Sequence, residues 1–249
     1  MSLAVIIPVV SPPYAPKSAA RPFVKIDNRE VFLRTVEVYT PRDEVTQRIV
    51  VVQPDDLGLM SEKFSAHLGF QNVQIVGGGA DWFSCVARGL EKLNADITHV
   101  LIHDACCPAV PFTLLDAIVE SATKWKDYSA IIPVLPARSA YADVEGGSLA
   151  GRNVTEFIDM ASVCEVQSPQ LFLRKSLQAA YAARDQANPT IDDAELVLQS
   201  GGKILTIAGS RFNQRVDSDD ALRIVGDLIN RMPKPKPKTP LTPFDEAQW

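Results

Sequence analysis

Cysteine is scarce in this chain, with four among 249 residues, at positions 85, 106, 107 and 164, and no C-x-x-C pair. That pattern offers neither a zinc site nor a disulfide framework, and reduced thiols in a cytoplasmic protein are expected. Long hydrophobic runs are missing too. The apolar opening LAVIIPVV is interrupted by Pro8 and has no basic residues before it, so it reads as a first strand and not a signal peptide. No run approaches the length of a membrane span. Nor is there a basic excess: the formal net charge is -5, with lysine and arginine scattered. Duplex nucleic acid is left without an electrostatic footprint, whereas a small anionic ligand needs only a local pocket.

What the chain does have is apolar residues, 46% of the total, ample for a substantial core. Short β-branched runs at Leu3–Val10, Arg48–Val52, Val73–Val76, Val100–His103 and Ala130–Val134 predict strands. Amphipathic stretches at Glu30–Val38, Leu57–Leu68, Trp82–Leu93 and Phe112–Ser121 predict helices between most of them. Strands apolar on both faces that alternate with helices imply an α/β fold, a doubly wound, mostly parallel sheet.

The alternation breaks at Leu135–Asp159, where Pro136, Gly146-Gly147 and Gly151 suggest a hairpin-like arm reaching for a partner chain. Helical periodicity returns at Leu171–Arg184 and Asp192–Gln199, followed by a strand at Lys203–Ile207 and a helix at Ser218–Arg231. One domain over residues 1–232 is expected, then a tail, 233–249, whose alternating proline and lysine favour an extended, solvated conformation.

In open parallel sheets ligands gather beyond the carboxyl ends of the strands. Asp104 follows a strand directly in LIHDACCP, so it either holds a magnesium ion on that rim or caps the next turn. In FNQRVDSDDAL, Ser218 is placed to cap the last helix and Asp219 and Asp220 suit its first turn, which leaves Asp217 without a capping role. The stretch IVGGGADWFSC ends a strand in three glycines and opens a helix. Such a turn suits an anion or a base edge, or serves merely to turn, and Ser84 either meets a ligand or caps the helix.

GGGADWFSC, IHDACCP, VQSPQLF, TIDDAELV and NQRVDSDDAL, taken in order, resemble the 2-C-methyl-D-erythritol 4-phosphate cytidylyltransferases and related cytidylyltransferases of polyol phosphates. The resemblance spans nearly the whole chain. It implies a nucleotidyltransferase fold, GT-A-like and Rossmann-like, a homodimer joined by the arm, and transfer of CMP from CTP to a phosphorylated polyol with release of pyrophosphate. By position, Ser11, Gly77, Gly78, Ser84 and Ala105 would line the nucleotide pocket, with Asp104 there holding magnesium. Asp192 and Arg215 would face the polyol phosphate, and Lys17, Arg21 and Arg215 would supply catalytic charge. VDSDDAL is also similar to a segment of wider sugar nucleotidyltransferases, which implies Asp217 as a second magnesium ligand.

The chain departs from that family where it should be most basic. Its first loop, VVSPPYAPKSAARPF, holds four prolines that cannot donate amide hydrogen bonds to a triphosphate. Asp81, Cys107 and about Met160 stand where the family has arginines, and Ile191 where it has a threonine. Two functions are therefore expected to compete: a cytidylyltransferase, and a non-catalytic or substrate-shifted homologue that keeps fold and dimer. Cys106 and Cys107 read as small fillers, since nothing adjacent in sequence would activate a thiolate.

Overall fold

The alternation of side chains along β1 (Leu3–Val9) sets the architecture. Leu3, Val5, Ile7 and Val9 enter one apolar cluster, and Ala4 and Ile6 enter another. A strand buried on both faces needs a layer on each side, and both are present. The computed structural model describes residues 1–15, 21–146, 151–185 and 189–233. A small hairpin of β2 (Lys25–Ile26) and β3 (Arg29–Glu30) leads into α1 (Val31–Glu37). Then follow β4 (Val45–Val52), α2 (Leu57–Phe70), β5 (Val73–Gly77), α3 (Trp82–Glu91), β6 (His99–Ile102), α4 (Phe112–Lys124) and β7 (Ala130–Pro136). Helices α1, α2 and α4 cover the first face, where Phe32, Phe64 and Ile118 join the core. Helix α3 covers the second with α5 (Arg174–Ala183) and α6 (Asp193–Gln199).

After β7 the chain leaves the sheet. β8 (Ala142–Val144) and β9 (Val154–Phe157) pair antiparallel with each other in a two-stranded sheet of their own. This is the expected excursion, and its apolar side chains face outward: Val154 is 53% exposed and Phe157 70%. The chain returns through β10 (Cys164–Val166) and β11 (Gln170–Leu173), and later through β12 (Ile204–Ala208) before α7 (Asp219–Arg231). The central sheet runs β10-β7-β11-β6-β1-β4-β5, with β12 also paired to β7. Pairs β1–β4, β1–β6, β4–β5 and β7–β12 are parallel. Helix α7 closes a smaller cluster through Val225, with Ile26, Val31 and Ala109. No helix among the described residues is long and apolar enough to cross a membrane.

One segment differs from expectation. The apolar run Leu171–Leu173 is not the first turn of a helix but most of β11, antiparallel to both β6 and β7, and α5 starts only at Arg174. A short buried apolar run carries no periodicity that separates strand from helix. Phe172 is wholly buried, and the sheet takes the run. Because β11 is antiparallel, its amino end lies at the carboxyl ends of its neighbours, with Gln170 opposite Ile102. The Pro/Lys-rich tail lies outside the described residues from 234 onward.

Candidate active site

Strand β6 ends on His103 and Asp104 because each has a specific anchor. The His103 ring is buried; its Nδ1 meets the Tyr39 hydroxyl at 2.8 Å and its Nε2 the Cys107 carbonyl at 3.0 Å. Burial pulls its pKa down to about 3, so the ring is neutral; Nε2 then donates to the carbonyl and Nδ1 accepts from Tyr39. Thr35 Oγ1 donates to the Ala105 carbonyl at 2.8 Å, and the Cys107 amide donates to the Asp104 carbonyl at 3.0 Å. The result is a tight, fully bonded turn.

Asp104 is therefore not an exposed rim carboxylate. It is 1% exposed, with Oδ1 accepting from the Cys106 amide at 2.8 Å and Oδ2 from Arg215 Nε at 2.7 Å. Burial pushes its carboxyl above the ordinary value, while the Arg215 guanidinium and the Cys106 amide pull it back. Burial likewise works against the Arg215 cation, but Asp104 more than offsets it, and Arg215 stays above its ordinary value. The capping reading of Asp104 is met by one oxygen, and the other accepts from an arginine.

Arg215 arrives on a loop that Gln167 ties down. Its Nε2 donates to the Ser210 and Asn213 carbonyls at 2.9 and 2.8 Å, and its Oε1 accepts from the Ser210 amide at 2.9 Å. Asn213 Nδ2 adds a bond to the Ser168 carbonyl, and the Val216 amide donates to the Cys106 carbonyl at 2.8 Å. Asp217 follows, exposed, with its charge near the two thiols. Those thiols are buried fillers, pushed up to about 12 at Cys106, first by burial and then by Asp104. Ser218 accepts from the Ala221 amide at 3.1 Å and caps α7 as expected. Arg21 pairs with Asp219 at 2.6 Å, so it is held at the start of α7. Lys17 lies outside the described residues.

At the glycine-rich turn the capping role prevails. Asp81 is the N-cap of α3: its side chain accepts from the Ser84 amide at 2.8 Å, and Ser84 Oγ accepts from the Asp81 amide at 3.2 Å. This is a complete capping box, and Ser84 Oγ also donates to the Asp81 carbonyl at 2.9 Å. Gly78 is required by packing, since a Cβ there would stand 2.6 Å from Cys85 Sγ and 2.7 Å from Val51 Cγ1. Ala105 belongs to the core, and Gly77 closes β5.

Beside this turn opens a cavity of about 520 Å³, bordered by Ser11, the proline-rich loop, Gln53, Asp81, Trp82 and Arg184. That volume suits a nucleotide-sized ligand. Arg184, which sequence reasoning missed, lies 4.1 Å above the Phe83 ring and brings positive charge to the cavity wall. Asp192, the N-cap of α6, accepts from the Ala194 amide at 2.7 Å and from Gln170 Nε2 at 2.8 Å. Asp193 is buried and accepts from Trp82 Nε1 at 2.8 Å and from the Tyr181 hydroxyl. Another cavity, of about 450 Å³, lies at the amino ends of β6 and β7 against Trp125 and Tyr128, at the opposite end of the sheet from Asp104.

A magnesium ion is expected at Asp104 and Asp217. Among the described residues, no three His, Cys, Asp or Glu side chains converge. Asp104 has both oxygens engaged and already carries a guanidinium, so the described side chains do not form a preset cage for the metal.

The fold is shared with solved proteins. The cytidylyltransferase structure from Thermus thermophilus superposes with a TM-score of 0.73 at 25% identity, covering 92% of this chain and 100% of that one. A structure described as 4-diphosphocytidyl-2C-methyl-D-erythritol synthase gives 0.74 at 23% identity, covering 91% and 98%. A sheet of this order, with a nucleotide-sized pocket at its carboxyl rim, has the α/β fold of the nucleotidyltransferases. Within that class the chain belongs to the 2-C-methyl-D-erythritol 4-phosphate cytidylyltransferase family, which matches it over residues 14–229. The Frankia casuarinae cytidylyltransferase is 32% identical over 83% of this chain and 73% of its own, and the Acidobacterium capsulatum one is 27% identical over 88% and 89%.

Proposed function

We propose that the chain transfers CMP from CTP to a phosphorylated polyol, 2-C-methyl-D-erythritol 4-phosphate being the family's acceptor, with release of pyrophosphate. The observation that carries this reading is the Asp104–Arg215 pair at 2.7 Å on the same rim as the nucleotide-sized cavity and Asp192. An acceptor phosphate oxygen attacks the α-phosphorus of CTP; the bond from that phosphorus to the bridging oxygen breaks and pyrophosphate leaves with the electron pair. Charge accumulates on both sides of the centre, and fixed cations lower the barrier. Arg215, oriented by Asp104, serves the acceptor phosphate, and Arg21 serves the triphosphate. A divalent metal would shield the triphosphate, and Asp217, exposed after the Arg215 loop, would be a carboxylate open to it, since Asp104 is engaged by Arg215. The exposed apolar residues of β9 favour a homodimer through the arm at 135–159.

A second reading, a non-catalytic or substrate-shifted homologue, is favoured by the composition of the large cavity. Asp56 and Asp81 border it together with Pro12, Pro13 and Pro22, where a triphosphate needs donors and cations. Calorimetry separates the two: the transferase reading expects CTP with magnesium to bind more tightly than ATP, GTP or UTP. Equal or absent binding of all four would favour the second reading.

A further inference from the structure

Next to Asp192 is a narrow gap of about 10 Å³, bordered by Tyr14, Trp82, Ile102, Ser168, Gln170 and Asp192. Gln170 is 7% exposed, and its side-chain orientation is fixed from behind. Its Nε2 donates to Asp192 Oδ2 at 2.8 Å, and a carboxylate can only accept, so the amide cannot turn over. Asp192 is itself held, because its other oxygen caps α6 through the Ala194 amide. Gln170 Oε1 is thereby left on the opposite side, buried, and no donor among the described residues reaches it. A buried carbonyl without a donor bears the full loss of its hydration, so native structures seldom leave one unmet.

We infer that Gln170 Oε1 receives a hydroxyl group of the polyol phosphate whose phosphate faces Arg215, making Gln170 a specificity-determining residue for the acceptor. This rests on the transferase reading. The chemistry matches: a polyol is rich in hydroxyl donors, and both Gln170 Oε1 and the Asp192 carboxylate are acceptors. The gap as it stands has room for about one water. Entry of an acceptor carbon chain would require Tyr14, half-exposed on the outer wall, to turn outward.

The test compares methylerythritol phosphate with its mono-deoxy analogues, in the wild-type chain and in Gln170→Met, which keeps the length and removes the oxygen. In the wild type, one analogue should raise the acceptor KM by roughly tenfold, the scale of one lost hydrogen bond. In Gln170→Met that discrimination should vanish while the KM for CTP stays unchanged. A wild-type response that is flat across the analogues would overturn the inference and assign the oxygen to a water, and this arm does not depend on the variant folding. Discrimination retained in Gln170→Met would overturn it equally. If the wild type releases no pyrophosphate at all, the transferase reading fails separately. Calorimetric binding of methylerythritol phosphate to both proteins then decides, with equal affinity counting against Gln170.

Discussion

Asp104 serves its neighbours before it serves any ligand. Replacing it with asparagine preserves the volume and an acceptor for the Cys106 amide but leaves Arg215, 13% exposed, without its counter-charge. Removing one partner of a buried pair costs about 3–5 kcal/mol, and residual exposure puts this case near 3. Urea unfolding of Asp104→Asn should show that loss; an unchanged midpoint would mean that the pair contributes nothing to the fold.

Asp193 carries the clearest pH signature. Burial, and then Asp192 beside it, push its carboxyl from the ordinary 3.8 up to about 7; Tyr181 and Trp82 donate to it, and Arg184 faces Tyr181. Between those two values the folded chain keeps a proton that the unfolded chain has lost. The group's stabilising contribution is therefore complete below about pH 4 and is lost as pH rises through about 7. Its ceiling is on the order of 4 kcal/mol, three pH units at about 1.4 each. Asp193→Asn removes the titration but keeps an acceptor for Trp82. From pH 5 to 8 the difference in unfolding free energy should swing toward the variant by about 2 kcal/mol or more. A difference that does not change with pH would place the Asp193 pKa in the ordinary range.

Among the elements, α3 shows a charge that looks misplaced for function and is well placed for folding. Asp81, which the resemblance places at an arginine position, completes the capping box that starts the helix. Asp81→Ser keeps an oxygen for the cap and removes the charge, so stability should move by less than about 0.5 kcal/mol. The KM for CTP should fall several-fold as a carboxylate leaves the triphosphate's surroundings, and Asp81→Ala should cost about 1 kcal/mol by losing the cap. If Asp81→Ser left the KM for CTP unchanged, Asp81 would be a cap with no influence on the nucleotide.

The elements also show how far the sequence could be read. Strands β1, β4, β5 and β6 and helices α2, α4 and α7 were legible because continuous β-branched runs or 3.6-fold periodicity coincided with clear punctuation. The cap at Ser218 was legible for the same local reason. Strand β11 was not, because Leu171–Leu173 is apolar in either conformation and its identity is decided by the slot between β6 and β7. The sequence singled out Asp104, Arg215, Asp192 and Ser84, but their pairings were not legible in it. Whether Asp104 would face metal, cap or arginine depended on residue 215, more than a hundred positions away. Gln170, Trp82 and Arg184 were missed since each acts through a partner distant in sequence.

At the scale of the whole molecule, the hairpin of β8 and β9 presents Val154, Phe157 and Ile158 to solvent, an apolar set left exposed among the described residues. Light scattering should give a dimer at micromolar concentration, and Phe157→Asp with Ile158→Asp should give a folded monomer. A wild-type monomer that persists at high micromolar concentration would remove the arm from the interface.

The proposed nucleotidyl transfer has to work with few cations, since Asp81 and Cys107 stand at positions that the resemblance assigns to arginines. Each missing preorganised charge costs about 2.7–4 kcal/mol of barrier, so transfer should be slow. The most direct measurement is steady-state pyrophosphate release with CTP, methylerythritol phosphate and magnesium. Release should require both substrates, fall to background in Arg215→Met, and give a kcat/KM below the ordinary lower bound of about 10⁴ M⁻¹s⁻¹. Binding of both substrates without release of pyrophosphate above background would contradict the claim and identify the chain as a non-catalytic member of its family.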